Sequence, residues 1–296
     1  MSDRVSLPIF EIDADDRRYG QRLQQLLRHL RKSPRSRDDL WQFVAYAMNM
    51  ARLSRAQLFQ DVWALWMSGR KREGFFVEFG AADGVYLSNT YMLEKTMGWR
   101  GVLAEPNPRF HQSLADNRGC AVSRKCVYGR SGETVSLLLA EVGELSRIAG
   151  VHADDATADG KRRVSEVVEV ETISLNDLLI QHEAPKEIDF MSIDTEGSEL
   201  DILEAFDWDR WDVRSIVLEQ NHGPTRDRLR ALLPAHGYRQ MWPALSLWGR
   251  LVRPRLKFFR PVTLGLVPRV PVSATLHSDV QAQCRRREGP SAQGRG

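Results

Sequence analysis

The sequence predicts an α/β protein: an open, mostly parallel sheet with helices on both faces, preceded by an N-terminal helical extension. Three observations predict it. Short β-rich apolar runs alternate with helical stretches from residue 75 to about residue 240, the pattern of a parallel sheet covered on both sides. The first run, Phe75-Phe76-Val77, leads into Glu78-Phe79-Gly80-Ala81-Ala82-Asp83-Gly84, which has the layout of a strand and a glycine turn. A second acid, Glu105, closes the next apolar run, about 20 residues on, the distance at which a strand-terminal carboxylate meets a ribose.

The elements follow in order. Residues 1–16 form a leader. Arg17 to Lys32 carries leucines at 23, 26, 27 and 30, an amphipathic helical spacing with a basic opposite face. Asp38 or Asp39 is positioned to cap a helix through Met50, and Ser54 a further helix from Arg55 to about Met67. Strand one is Gly74 to Phe79 and a helix spans Ser88 to Met97. Strand two is Gly101 to Glu105, and Asn107-Pro108 starts a helix to Asn117. Strand three is Ala121 to Tyr128. Residues 134–140 and 164–171 are strand-like and flank an acidic, Gly/Ala-rich insertion on a surface or over a pocket. Thr172 or Ser174 begins a helix to about Gln181. Strand four is Ile188 to Ile193, strand five Ser215 to Glu219, the next helix Thr225 to His236, and Gly237-Tyr238 opens a final strand. The expected domains are a helical cap over 1–70, a core over 71–250 with its insertion at 141–163, and a basic extension over 251–296.

Composition narrows the function classes. Apolar content of 42% and charged content of 27% are those of an ordinary soluble protein. The net charge of +3, with no basic stripe through the expected sheet, argues against a nucleic-acid partner. Cys120, Cys126 and Cys284 contain no C-x-x-C pair, so neither a disulfide framework nor a zinc site is expected. With neither a secretory leader nor an apolar run of about 20 residues in sight, the cytoplasm is the expected compartment. The basic helix at 17–32 leaves peripheral membrane contact open, and the tryptophan-rich N-terminal block leaves a homodimer open.

The glycine turn lacks the G-x-G-x-x-G of a dinucleotide fold and has no Lys-Ser/Thr for phosphates. A cofactor with adenosine but no phosphate fits best, and S-adenosylmethionine is the obvious one. Gly80, Ala81 and Gly84 allow the backbone to approach it. Glu78 and Asp83 either hold the turn or face its amino group, and Glu105 accepts from the ribose hydroxyls. Pro106 and Asn107 shape the loop beside the sugar. Ser88 and Asn89 are placed to cap the following helix. Asp194 ends strand four, at the sheet edge where ligands bind.

From Phe75 to about Gln240 the chain resembles the FkbM family of S-adenosylmethionine-dependent methyltransferases. Four ordered blocks carry the resemblance: 76–84, 88–94, 98–108 and 188–203, with Gly237-Tyr238 beyond them. It implies a class I methyltransferase fold and methyl transfer to an oxygen, on a small-molecule or glycan hydroxyl of a sugar, polysaccharide or natural product. It also implies a place at the pocket mouth for Ser88 and Asn89, the alternative to their capping role. A protein or lipid-linked acceptor and a non-catalytic binding protein are the alternatives. Met241 to Trp248 departs from the family's usual acidic and aromatic residues in the last strand.

Strand five ends in Glu219-Gln220-Asn221-His222. Neighbouring parallel strands would bring Asp194 and Glu219 to one edge, where Asp194, Glu219 and Asn221 form an oxygen set suited to Mg²⁺. Such an ion would hold the acceptor oxygen and lower its pKa. The metal-free alternative uses Glu219 or His222 as general base, with Asp194 beside the acceptor. His111, His152, His182 and His236 have no such context and read as solvated.

Overall fold

The computed structural model describes residues 20, 21, 23–25, 27, 37–141, 143–150, 163–218, 224–242 and 247–250. The chain divides into two compact units, residues 1–252 and 253–296, and every described residue lies in the first. The leader, the basic extension and Cys284 lie outside the described residues.

Five parallel strands form the heart of the main sheet. They are β1 (Phe75–Phe79), β2 (Arg100–Ala104), β3 (Ala121–Ser123), β9 (Phe190–Ile193) and β11 (Ser215–Leu218). Strands β12 (Tyr238–Trp242) and β13 (Leu247–Arg250) complete it in the order β12-β13-β11-β9-β1-β2-β3, and β13 runs antiparallel to both of its neighbours. A second, four-stranded sheet has the order β4-β7-β5-β6, from β4 (Cys126–Tyr128), β5 (Thr134–Ala140), β6 (Arg147–Ile148) and β7 (Val164–Ser174). The remaining pair, β8 (Glu187–Ile188) with β10 (Asp212–Val213), is parallel.

Alternation along each strand sorts the core into two faces. Val77, Val102, Met191 and Ile216 join α5 (Leu175–Gln181), α6 (Glu199–Glu204) and α7 (Pro224–Ala235) on one side. Phe76, Leu103, Phe190 and Val217 join the other, with α1 (Arg37–Met50), α2 (Gln60–Met67), α3 (Tyr91–Lys95) and α4 (His111–Asn117). Phe43, Val62 and Trp63 are at most 1% exposed in that second cluster, so the N-terminal helices cover the sheet itself. Residues 20, 21, 23–25 and 27 are helical, and Leu23 and Leu27 pack on the same cluster.

Several expected elements are shorter or divided. Strand three is two strands in different sheets, β3 and β4, separated by Arg124-Lys125. The helix expected from Ser54 starts only at Gln60, because the Ser54 hydroxyl donates to Asp61 across a turn (2.7 Å). Asp38 and Asp39 lie inside α1 rather than ahead of it. The helix expected from Ser88 starts at Tyr91. Strand four is divided at Asp189, whose carboxylate is turned to bind Lys71 Nζ (2.8 Å) and the Phe75 amide (2.9 Å). The last strand of the expected order pairs with β13 as a hairpin, and β13 lies between it and β11.

Asp189 is 2% exposed and its Oδ2 accepts from the buried Phe75 amide, so removing it takes an acceptor from a buried N–H at the start of β1. Asp189→Ala is expected to cost about 2 kcal/mol, measured by urea denaturation, while Asp189→Asn, which keeps one acceptor oxygen, costs less.

Candidate active site

The chain passes from β1 to β2 and β3 on one side, then crosses to β9 and β11 on the other. In an open α/β sheet, the crevice beyond the carboxyl ends at such a reversal is where ligands bind. Here it lies between Gly80, after β1, and Asp194, after β9. Gly80 has φ +72°, and a Cβ on it would lie 2.0 Å from the Asp194 carbonyl oxygen. Only glycine fits, for reasons of both conformation and space. The two loops also hold non-glycine residues in the left-handed region, Ala82 at φ 46° and Glu196 at φ 56°, conformations that surrounding contacts must hold in place.

Glu105 stands at the end of β2, 6% exposed. Its Oε2 accepts from the Ala82 amide (2.7 Å) and its Oε1 from the Asn107 amide (2.8 Å). Glu105 thus fastens the glycine turn to the end of β2. Gly80, Ala82, Pro106 and Asp194 line the same cleft as Glu105, about 540 Å³ with its open mouth counted.

Glu78 is directed elsewhere. Its carboxylate accepts from the hydroxyls of Ser88 (3.0 Å) and Thr90 (2.5 Å) and from the Asn89 amide (2.7 Å). Those contacts hold the segment ahead of α3. Ser88 in turn caps α3, accepting from the Thr90 and Tyr91 amides, while Asn89 Nδ2 donates to Ser192 Oγ (2.9 Å). Asp83 Oδ1 accepts from the amides of Val85 and Tyr86, and Asn107 Oδ1 from the Arg109 amide. These are loop-shaping contacts. Gly84, φ +77°, packs so closely on Leu114 and Arg118 that a Cβ would lie within 2.7 Å of each.

Arg118 organises this group, and nothing in the motif spacing pointed to it. Its side chain is fully buried, pairing with Glu94 (2.5 Å) and lying 3.6 Å from Glu78. It donates to the Gly84 carbonyl (3.1 Å) and to Thr90 Oγ1 (2.9 Å), and its guanidinium lies over the Phe76 ring. Burial pulls the Glu94 carboxyl upward, but the Arg118 charge and hydrogen bond, with the Gly119 amide, outweigh it and hold the group below the usual carboxylate range.

Several acids surround Asp194. Glu199 is buried, its Oε1 accepting from the Thr195 amide and hydroxyl and from the Gly197 amide. Asp194 is exposed at the cleft, yet the protein packed around it, followed by the carboxylates of Glu196, Glu199, Glu78 and Glu105, pushes its carboxyl up to about 8.

The opposite wall comes from the second sheet. Cys126 and Val127 of β4, Leu137 of β5, and Gly143, Arg147 and Ile148 of the insertion line the cleft. Asn107 Nδ2 reaches across to Ser146 Oγ (3.3 Å). The insertion thus forms part of the pocket, where residues 143–150 are described. No motif marked these positions; their alternating apolar residues were the available signal. Burial, with the nearby Glu105 charge, pushes the Cys126 thiol up to about 12, so it is a neutral wall residue. His111 is not simply solvated: its Nε2 lies 2.9 Å from the Glu105 carbonyl, and burial lowers its pKa. His236 stacks on Trp208. Glu219, Asn221 and His222 lie outside the described residues, as does His152. Among the described residues no group of three His, Cys, Asp or Glu side chains is placed to hold a metal ion.

Arg118→Met leaves Glu78 and Glu94 without their counter-charge and is expected to cost about 3–5 kcal/mol. Because Glu94 is depressed in the fold, its pairing contributes stability above its ordinary pKa and loses it as pH falls through the depressed value. The deficit of the variant, read from thermal unfolding across pH, is therefore expected to shrink in acid.

Comparison with known proteins bears on this geometry. No curated protein matches the chain. Among solved structures, precorrin-6y C5,15-methyltransferase from Geobacter metallireducens is similar at 16% identity over 60% of this chain and 70% of that one, with a TM-score of 0.34, too slight a likeness to bear on mechanism. The model of the methyltransferase FkbM domain matches residues 78–240, more than half of the chain, from the glycine turn through Glu105 and Asp194 into β12. The protein belongs to the FkbM family and is an S-adenosylmethionine-dependent methyltransferase.

Proposed function

We propose that the protein transfers a methyl group to a hydroxyl of a sugar, polysaccharide or natural-product acceptor, with Asp194 as general base. The observation that carries this reading is the placement of Asp194 at the sheet's reversal point, against Gly80, with its carboxyl pushed up to about 8. A base works best with a pKa near the working pH. The strand order, with β13 antiparallel among parallel strands, supports the class I form of the fold.

S-adenosylmethionine, when bound, supplies an electrophilic methyl group on a positively charged sulfur. The chain's own residues do the rest. Glu105 accepts from the ribose hydroxyls while its backbone contacts hold the glycine turn. The surrounding carboxylates favour positive charge in the cleft. Asp194 takes the proton from the acceptor hydroxyl as the new carbon–oxygen bond forms and the carbon–sulfur bond breaks, becoming a carboxylic acid. Alignment of the two reactants supplies much of the acceleration. The Mg²⁺ set of Asp194, Glu219 and Asn221 has only Asp194 among the described residues, and Asp194 performs its step here as a carboxylate in its own right.

Two experiments test this. In calorimetric titration with S-adenosylhomocysteine, Glu105→Ala is expected to weaken binding by at least tenfold, about 1.4 kcal/mol; unchanged affinity would refute the ribose role. Asp194→Asn is expected to lower kcat by about 10²–10⁴-fold with labelled S-adenosylmethionine and pools of glycan and natural-product alcohols. Wild-type activity should rise with pH toward about 8, since the base acts deprotonated. The free protein should do the reverse. A carboxyl raised in the fold makes stability fall as pH rises between its ordinary range and its raised value, and Asp194→Asn should flatten that slope. Full activity in Asp194→Asn would sink the proposed base.

A further inference from the structure

The serine that follows the Asp194 turn is without a partner where partners are abundant. Ser198 is 1% exposed, and its Oγ has no hydrogen-bond partner among the described residues. It occupies the position ahead of α6 yet makes no capping hydrogen bond. The neighbouring Thr195 amide and hydroxyl and the Gly197 amide are all taken by Glu199. Ser198 lines the cleft together with Cys126, Val127, Leu137 and Ile148, and with the polar Ser146, Arg147 and Thr195. A buried hydroxyl left unsatisfied costs stability, and this one belongs to the cleft wall.

We propose that Ser198 recognises the adenine base of the cofactor, its Oγ accepting a hydrogen bond from the 6-amino group. This rests on the assignment of the cleft as the S-adenosylmethionine site. Three parts of that cofactor compete for this part of the wall. The methionine end carries an ammonium, which is drawn to the Asp194 carboxylate beside Gly80 rather than to a neutral hydroxyl. The ribose needs acceptors for two hydroxyls, and Glu105 supplies them at the end of β2. The base is flat and apolar on its faces with hydrogen-bonding groups at its edge, matching the side chains of Cys126, Val127, Leu137 and Ile148 and a buried hydroxyl that has no partner among the described residues. Its direction agrees too: Cys126 and Val127 follow β3, the strand beside β2, so a base attached to a ribose at Glu105 lies toward them.

The test is calorimetry on wild type and Ser198→Ala with S-adenosylhomocysteine and its analogue lacking the 6-amino group, with thermal unfolding of both proteins. Wild type is expected to bind the parent ligand about tenfold more tightly than the analogue. Ser198→Ala should bind the parent about tenfold more weakly, no longer distinguish the two ligands, and unfold at no lower temperature than wild type. Equal parent affinity in the two proteins, or undiminished discrimination in the variant, overturns the assignment of Ser198 alone. Absence of binding by folded wild type overturns the cofactor site as well. Should the variant not fold, equal affinity of wild type for the two ligands overturns the assignment.

Discussion

A fully buried guanidinium is the constraint on which the cofactor loop depends. Arg118 comes from the end of α4, yet it reaches the Gly84 carbonyl, Thr90, Glu94 and Glu78, four points on the segment that runs from β1 through α3. A charge in that position is costly unless its partners and hydrogen bonds are complete. Their completeness fixes the path of the chain after β1. Glu78, held from one side by Arg118 and from the other by Ser88, Asn89 and Thr90, cannot turn toward a ligand without leaving buried donors behind. The polar cluster beneath the loop thus fixes the backbone, while Glu105 and Asp194 line the cleft itself.

The two strand-end acids divide the electrostatic work. Glu105 accepts from two amides and keeps a fixed direction as an acceptor. Asp194 has no hydrogen bond of that kind among those described and shares its surroundings with four other carboxylates. A cationic ligand entering the cleft relieves that repulsion, so the same crowding that makes the empty site unfavourable favours a sulfonium. This is a site whose stability and affinity oppose one another by construction.

Much of this was legible in the sequence because it follows from local rules. The apolar runs, the glycine turn and the spacing to Glu105 mark strands and their ends. What was not legible is set by long-range contacts. Nothing local divides Ala121 to Tyr128 between two sheets; that depends on Cys126 finding Thr172 in β7. Asp189 interrupts strand four because of Lys71, more than a hundred positions away. Arg118 looked like any surface arginine after a helix, and the lining role of Arg147 and Ile148 depends on β6 pairing with β5. The acids after β11 fall beyond the described residues.

The position of β13 bears on where this protein can be cut. The family match ends at residue 240, but Leu247–Arg250 lies inside the sheet, between β11 and β12. A fragment trimmed to the family boundary would keep the cofactor loop and both acids while losing an interior strand. β11 would then present a row of open backbone donors and acceptors, the kind of template on which chains pair with one another. Such a fragment would retain the site residues and aggregate, so its inactivity would report a broken sheet rather than a misassigned enzyme.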